Sequence, residues 1–164
     1  MDMEARGHSE HSQALRLWLR MLTLAQLIEK QVRAQLREHW GTTLPRFDLM
    51  AQLERNPDGL KMNELSRRMM VTGGNVTGIT DQLVAEGLVE RVDVEGDRRA
   101  FRIRLTPRGR VLFGDMARQH ETWIVAAFQG LSPSEVEALH QLLGKVKQQH
   151  LHDLHHDNTP LEIT

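Results

Sequence analysis

The stretch Lys61–Thr106, KMNELSRRMMVTGGNVTGITDQLVAEGLVERVDVEGDRRAFRIRLT, constrains this chain more than any other. A short helix, a tight turn, a second helix and a hairpin follow one another in it with no spare residues. In the second helix Val76, Ile79 and Leu83 recur at i, i+3 and i+7, which predicts one buried stripe. The opposite face carries Gly74, Asn75, Thr77, Gly78, Asp81 and Gln82, polar and almost free of bulk. Thr72 stands where a hydroxyl accepts from an orphan backbone N–H and caps a helix. Gly73, Gly74 and Gly78 each cost a helix interior about 1 kcal/mol relative to Ala, so their presence predicts a close approach, to a DNA backbone or to the preceding helix.

The flanks sharpen this reading. Met62, Leu65, Met69 and Met70 supply the buried face of a helix over Met62–Met69, and Val71-Thr72-Gly73 makes the turn. Gly87 is a natural C-cap. Leu88–Val92 reads as a strand, Asp93–Asp97 as a tip with Gly96, and Ala100–Leu105 as a returning strand, in which Phe101, Ile103 and Leu105 alternate with Arg102 and Arg104. Six arginines and no carboxylate lie between Arg98 and Arg110, in a chain of net charge −1. A one-signed hairpin beside a small, polar helix face suits phosphate contact and a minor-groove probe. A plain solvated surface is the alternative, above all for Arg104, Arg108 and Arg110. The expected fold is mainly α with a small β-hairpin wing (α+β), a winged helix-turn-helix over residues 45–106. Asn75 and Gln82 are the side-chain types that bond adenine, and Thr77 suits a base or a phosphate.

The runs Asn63–Arg91 and Gly96–Gly109 (GDRRAFRIRLTPRG) resemble the MarR family of bacterial transcriptional regulators. Its mark is the Asp-Arg-Arg tip with Leu-Thr-Pro-x-Gly eight residues on, and the likeness runs from about Leu15 to Leu154. The branch it resembles controls aromatic-compound catabolism. The resemblance implies an obligate homodimer, a palindromic double-stranded operator and, often, a small aromatic effector. The expected DNA-contacting set is Thr72, Gly74, Asn75, Thr77, Gly78, Gln82, Arg98, Arg99 and Arg102. Asp81, awkward facing DNA, is implied to pair with a wing arginine and orient it; a bond to a cytosine amino group is the other option.

The remaining elements read as scaffold. Residues 1–12 are expected to be flexible, and their polar MDMEARGHSEHSQ opening has no apolar core of a secretory signal. A long helix is predicted from Ala14 to about His39, apolar on two sides through Leu15, Trp18, Leu22, Ala25, Ile28, Val32 and Leu36 with Leu17, Met21 and Leu24. Trp40-Gly41 ends it, Pro45 starts a helix over Arg46–Glu54, and Asn56-Pro57-Asp58-Gly59 is a turn. Thr106-Pro107 opens a helix to about Gln129, and the capping box Ser132-Pro133-Ser134-Glu135 opens the last one. Residues 13–44 and 107–154 form the expected helical dimerisation region, with Leu15, Leu22, Leu139, Leu142, Leu143 and Val146 at the interface. An intrachain bundle is the alternative. Residues 155–164 are expected to be a flexible tail.

Composition excludes several functions. No apolar run approaches a membrane span, so the expected location is cytoplasmic and no membrane partner is expected. The absence of cysteine excludes disulfides and thiol-based sensing. GGNVTG lacks the Lys-Ser/Thr of a phosphate loop, and no other catalytic motif is present, so no enzyme and no cofactor are expected. His150, His152, His155 and His156 with Asp153 and Asp157 match no specific metal spacing, and no metal site is assigned to them. Trp18, Met21, His39, Trp40, Arg46, His120 and Trp123 combine stacking surface with polar handles for an aromatic carboxylate or its coenzyme A thioester; core packing is the plainer reading of the tryptophans. The expected function is a ligand-responsive regulator, a repressor released by such an acid. A winged-helix protein-interaction module, or a small enzyme using His120 and Glu121, are the alternatives.

Overall fold

The computed structural model describes residues 3–69 and 75–156, with side chains described for 12–69, 75–97 and 100–154. α1 (Met3–Trp40) starts at Met3 rather than near Ala14, so the backbone of residues 3–12, expected as a flexible lead-in, is helical. That segment has no proline and carries Met, Glu, Ala and Arg, all good helix formers. Only the C-terminal part of α1 is buried: Val32 and Leu36 are core residues, while Leu15, Leu17, Trp18, Leu19 and Leu27 are exposed. Within one chain the two-sided burial expected of this helix is absent from residues 12–27.

α2 (Leu44–Glu54) begins two residues before the expected Arg46, because Thr43 takes the N-cap and Pro45 falls inside the first turn. Leu44, Phe47, Leu49, Met50 and Leu53 are its buried face. β1 (Leu60–Lys61) leads directly into α3 (Met62–Arg68). After α4 (Val76–Ala85) come β2 (Val89–Val94) and β3 (Asp97–Leu105). The sheet is antiparallel, in the order β1-β3-β2, with Leu60 opposite Ile103 and Val89 opposite Leu105. Both hairpin strands run further than expected: the turn is only Glu95-Gly96, Gly96 adopting φ +83°, so β2 reaches Val94 and β3 starts at Asp97. β1 went unseen because two residues show no period. Its one signal is Gly59, at φ +90°, where an added Cβ would sit 2.7 Å from the Ile103 carbonyl oxygen.

α5 (Pro107–Ala127) stops two residues before the expected Gln129. The core gathers Leu36 from α1, Leu49, Met50 and Leu53 from α2, Leu65 and Leu83 from α3 and α4, Val89, Ile103 and Leu105 from the sheet, and Phe113 and Met116 from α5. The chain divides into two compact units between Trp123 and Ile124, so this core lies entirely in the first. The second contains α6 (Pro133–His156), opened by the expected capping box: Ser132 N–H donates to Glu135 Oε2 at 2.7 Å and Glu135 N–H to Ser132 Oγ at 3.3 Å.

Gly109 is where α5 meets the root of the hairpin. It is buried, and a Cβ there would lie 2.0 Å from the Leu88 carbonyl oxygen. That contact is backbone and has no side chain to move aside. Gly109→Ala should therefore destabilise the fold by roughly 2 kcal/mol or more, the upper range of overpacking, read as a lower urea midpoint at unchanged slope.

Candidate nucleic-acid interface

α4 is capped by a side chain at its N-terminus and by backbone amides at its C-terminus. Its N-cap is Asn75, whose Oδ1 accepts from Gly78 N–H at 3.0 Å. The capping role expected of Thr72 thus belongs to Asn75; Thr72 and Gly74 lie outside the described residues. An added Cβ at Gly78 would approach Asn75 Nδ2 to 2.9 Å. Gly78 therefore makes room for the cap, and neither DNA nor the preceding helix is needed to explain it. The oxygen of Asn75 is committed to the backbone, which leaves its amide nitrogen as the group able to reach a base.

The buried stripe is also displaced from the expected one. Thr80 and Leu83 are almost fully buried, at 1% and 0% exposure, whereas Val76 and Ile79 are half-buried. Thr80 enters the core because its hydroxyl donates to the Val76 carbonyl at 2.8 Å and so carries no unmet bond inside. At the other end Gly87, at φ +72°, closes the helix as expected: Leu88 N–H donates to Leu83 O and Gly87 N–H to Val84 O, each at 3.0 Å.

Thr77, Asp81 and Gln82 remain exposed on the outer face. Asp81 is ion-paired with Arg91 of β2, and that guanidinium stands 5.7 Å from the centre of the Phe101 ring. The side chains of Arg98 and Arg99, the expected tip contacts, lie outside those described. Arg102 is half-buried and donates to the Gly59 carbonyl at 3.2 Å, so its head group is tied to the β1 turn. Arg104 donates to Glu90 at 2.6 Å, Arg108 to Glu86 O at 3.1 Å and Arg110 to Pro57 O at 3.5 Å. The one-signed run is thus one-signed only along the sequence. Antiparallel pairing sets Glu90 opposite Arg104.

The expected effector residues separate into groups. His39 stacks on Trp123 at 6.0 Å, and His120 packs against Phe47 at 4.8 Å and edge-on to Trp123 at 6.3 Å. Trp40 Nε1 donates to Gln119 Oε1 at 2.7 Å. Phe47 and Phe113, 5.3 Å apart, extend this nest, and sequence reasoning did not assign either to it. Trp18 and Met21 do not join it: both are exposed, and Met21 lies 18 residues before His39, roughly 27 Å along α1. Arg46 turns instead toward α4. Burial pushes the His120 imidazole below its ordinary pKa. Among the described residues no group of three or more His, Asp or Glu side chains is placed to hold a metal ion, and no helix is long and apolar enough to cross a membrane. The side chains of His155, His156 and Asp157 lie outside those described.

The MarR family profile matches residues 40–100. A MarR family transcriptional regulator from Silicibacter pomeroyi, of known structure, is 34% identical with a TM-score of 0.69, over 85% of this chain and 97% of that one. The chain belongs to the MarR family. Among curated relatives, it is 33% identical over 93 residues to the uncharacterised HTH-type transcriptional regulator YkoM of Bacillus subtilis (strain 168), and 32% over 107 residues to the HTH-type transcriptional regulator PecS of Dickeya dadantii (strain 3937). Those matches take in 56% and 62% of this chain, and span 60% and 63% of the length of the two relatives. Sco3205, a MarR family regulator from Streptomyces coelicolor solved in complex with DNA, shares the fold at a TM-score of 0.70 and 23% identity, over 84% of this chain and 88% of that one.

Two outcomes are expected. Asn75→Ala removes the α4 cap and should cost about 1 kcal/mol, with faster hydrogen exchange at the first amides of α4; unchanged exchange there would discard the cap. For His120 the folded state favours the neutral ring, so its contribution to stability is present above the ordinary histidine pKa of 6.5 and is lost as pH falls toward the lowered folded value. His120→Phe keeps the stack and should flatten the loss of melting temperature between about pH 7 and 5.

Proposed function

We propose that this MarR family member is a ligand-responsive transcriptional repressor that binds palindromic operator DNA as a homodimer and is released by a small aromatic acid or its coenzyme A thioester. The observation that carries the reading is the exposed Thr77–Asp81–Gln82 face of α4, beside an arginine-lined hairpin, in a MarR family chain. In this reading α4 enters the major groove, Thr77, Gln82 and the Asn75 amide meet bases or phosphates, and Arg98 and Arg99 probe the flanking minor groove. Asp81 orients the hairpin through Arg91. The DNA complex of the related Sco3205 supports the choice of partner.

Residues 45–106 are the DNA lobe, and 13–44 with 107–154 the dimerising region. The exposed Leu15, Leu22, Leu142, Leu143 and Val146, with half-buried Leu139, favour a second copy as their cover. The nest of His39, Trp40, Phe47, His120 and Trp123 supplies stacking surface for an aromatic effector, which would shift the populations of operator-fitting and non-fitting states. The proposal extends to regulation of aromatic-compound catabolism and to a cytoplasmic location.

The test is fluorescence anisotropy with the DNA upstream of the gene against scrambled DNA, followed by a panel of aromatic acids and their thioesters. The expected result is steeply salt-dependent binding to the upstream DNA alone, released by one compound. Arg98→Ala should weaken it by about 1–3 kcal/mol. No binding to either DNA at low salt would favour a protein-interaction module.

A further inference from the structure

The sequence offers Arg46 as a polar handle for an effector carboxylate or its thioester. Its surroundings use it otherwise. It is the third residue of α2, its side chain is only 18% exposed, and each guanidinium nitrogen has a partner. Nη1 donates to Glu86 Oε1 at 2.8 Å, Nη2 donates in parallel to Glu86 Oε2, and Nε donates to Thr42 Oγ1 at 3.2 Å. Nη1 also reaches Gln82 Oε1 at 3.4 Å.

Glu86 is the C-cap of α4. A carboxylate at a helix C-terminus faces the negative end of the macrodipole and is locally unfavourable, so a Glu there needs a cation. Arg46 supplies it as a planar fork, which fixes orientation as well as charge. The fork's hydrogen bonds, more than its charge alone, hold the Glu86 carboxyl below the usual range. The backbone at this end of α4 is tied elsewhere, Glu86 O to Arg108 and Gly87 O to Thr106 Oγ1 at 2.7 Å, both toward the start of α5. The Arg46 fork adds a tie from α2 to the last turn of α4.

We propose that Arg46 is a positioning residue: its fork on Glu86 locks the C-terminal end of α4 to α2 and so sets the angle at which the outer face of α4 is presented. The idea rests on the DNA-binding reading for its consequence, but not for the lock itself. A salt bridge on an open surface would contribute little; in this one Glu86 is 47% exposed but Arg46 only 18%, and the contact is bidentate.

The test compares Arg46→Ala, Glu86→Ala, the double variant and Arg46→Lys, each shown to be folded by its melting curve. The readouts are anisotropy on operator and scrambled DNA across a salt series, and hydrogen exchange at residues 82–88. Each single alanine should weaken operator binding about three- to tenfold, with the double variant no worse than the weaker single, because both remove one interaction. Binding to scrambled DNA and the salt slope should stay unchanged, since no phosphate contact is lost. Arg46→Lys should not restore affinity, because an ammonium cannot form the fork. A salt slope reduced by about one in Arg46→Ala, with Glu86→Ala binding as tightly as wild type, would overturn the proposal and make Arg46 a phosphate contact. Loss of affinity for an aromatic acid alone, with operator binding intact, would overturn it in favour of the effector handle. If the wild-type chain binds no DNA, the regulator reading fails by itself. Exchange then decides the lock: faster in both single variants supports it, unchanged in either overturns it.

Discussion

The molecule depends on how α4 ends. The left-handed Gly87 turns the chain, the Leu88 and Gly87 amides close the last turn of the helix, and Leu88 goes straight into the core. Thr106 bridges this corner to α5, donating from its hydroxyl to Gly87 O at 2.7 Å and accepting from Gly109 N–H at 3.0 Å. Gly109 lets α5 press onto Leu88 at a distance no side chain allows. One corner thus fixes helix, hairpin and the following helix relative to one another. Each group there is either left-handed glycine, side-chain-free glycine or a threonine satisfied in both directions, so substitution has little slack to use.

Charge is arranged with the same economy. Among the described residues, the arginines of the hairpin and of the start of α5 are held by partners. Arg91 answers Asp81, Arg104 answers Glu90, and Arg102 and Arg108 are held by backbone carbonyls. These pairs are half-exposed and contribute little to stability individually. What they do is hold strand and helix side chains in fixed directions. A polar face intended for specific contacts benefits from that, because groups already ordered lose less entropy on binding. The arginines whose pairing is not described are those at the tip.

Local chemistry was legible in the sequence, and anything set by a distant segment was not. The Gly87 cap, the Ser132 capping box and the Thr106-Pro107 start each depend on residues within a few positions, and each stands as expected. The N-cap of α4 lies three residues beyond the expected Thr72 because Thr and Asn are both good caps, and Gly78 leaves room for Asn75 to serve. Thr80 was missed as a core residue because its polarity hides a hydroxyl that bonds within its own helix. The carboxylate partners of the arginines come from a neighbouring strand and helix, a relation that charge counting along one segment cannot reveal. The expected effector residues divide for the same reason: His39, Trp40, His120 and Trp123 gather, while Trp18 and Met21, carried on the same helix as His39, lie far along it and Arg46 turns to α4.

The N-terminal half of α1 follows from the same physics. In proteins most helical stability comes from tertiary packing of an apolar face rather than from propensity alone. From residue 12 to 27 no side chain of α1 is better than exposed, yet Leu15, Leu17, Trp18, Leu19, Leu22, Leu24 and Leu27 all lie there. Burying even a few such side chains contributes on the order of 1.5–3 kcal/mol each, enough to decide whether the segment stays helical. So many large apolar side chains exposed along one helix mark an interaction site. The proposal of a second copy as its cover therefore does two things at once. It assigns the exposed face, and it supplies the burial that a long helix, unsupported by its own domain over these residues, requires.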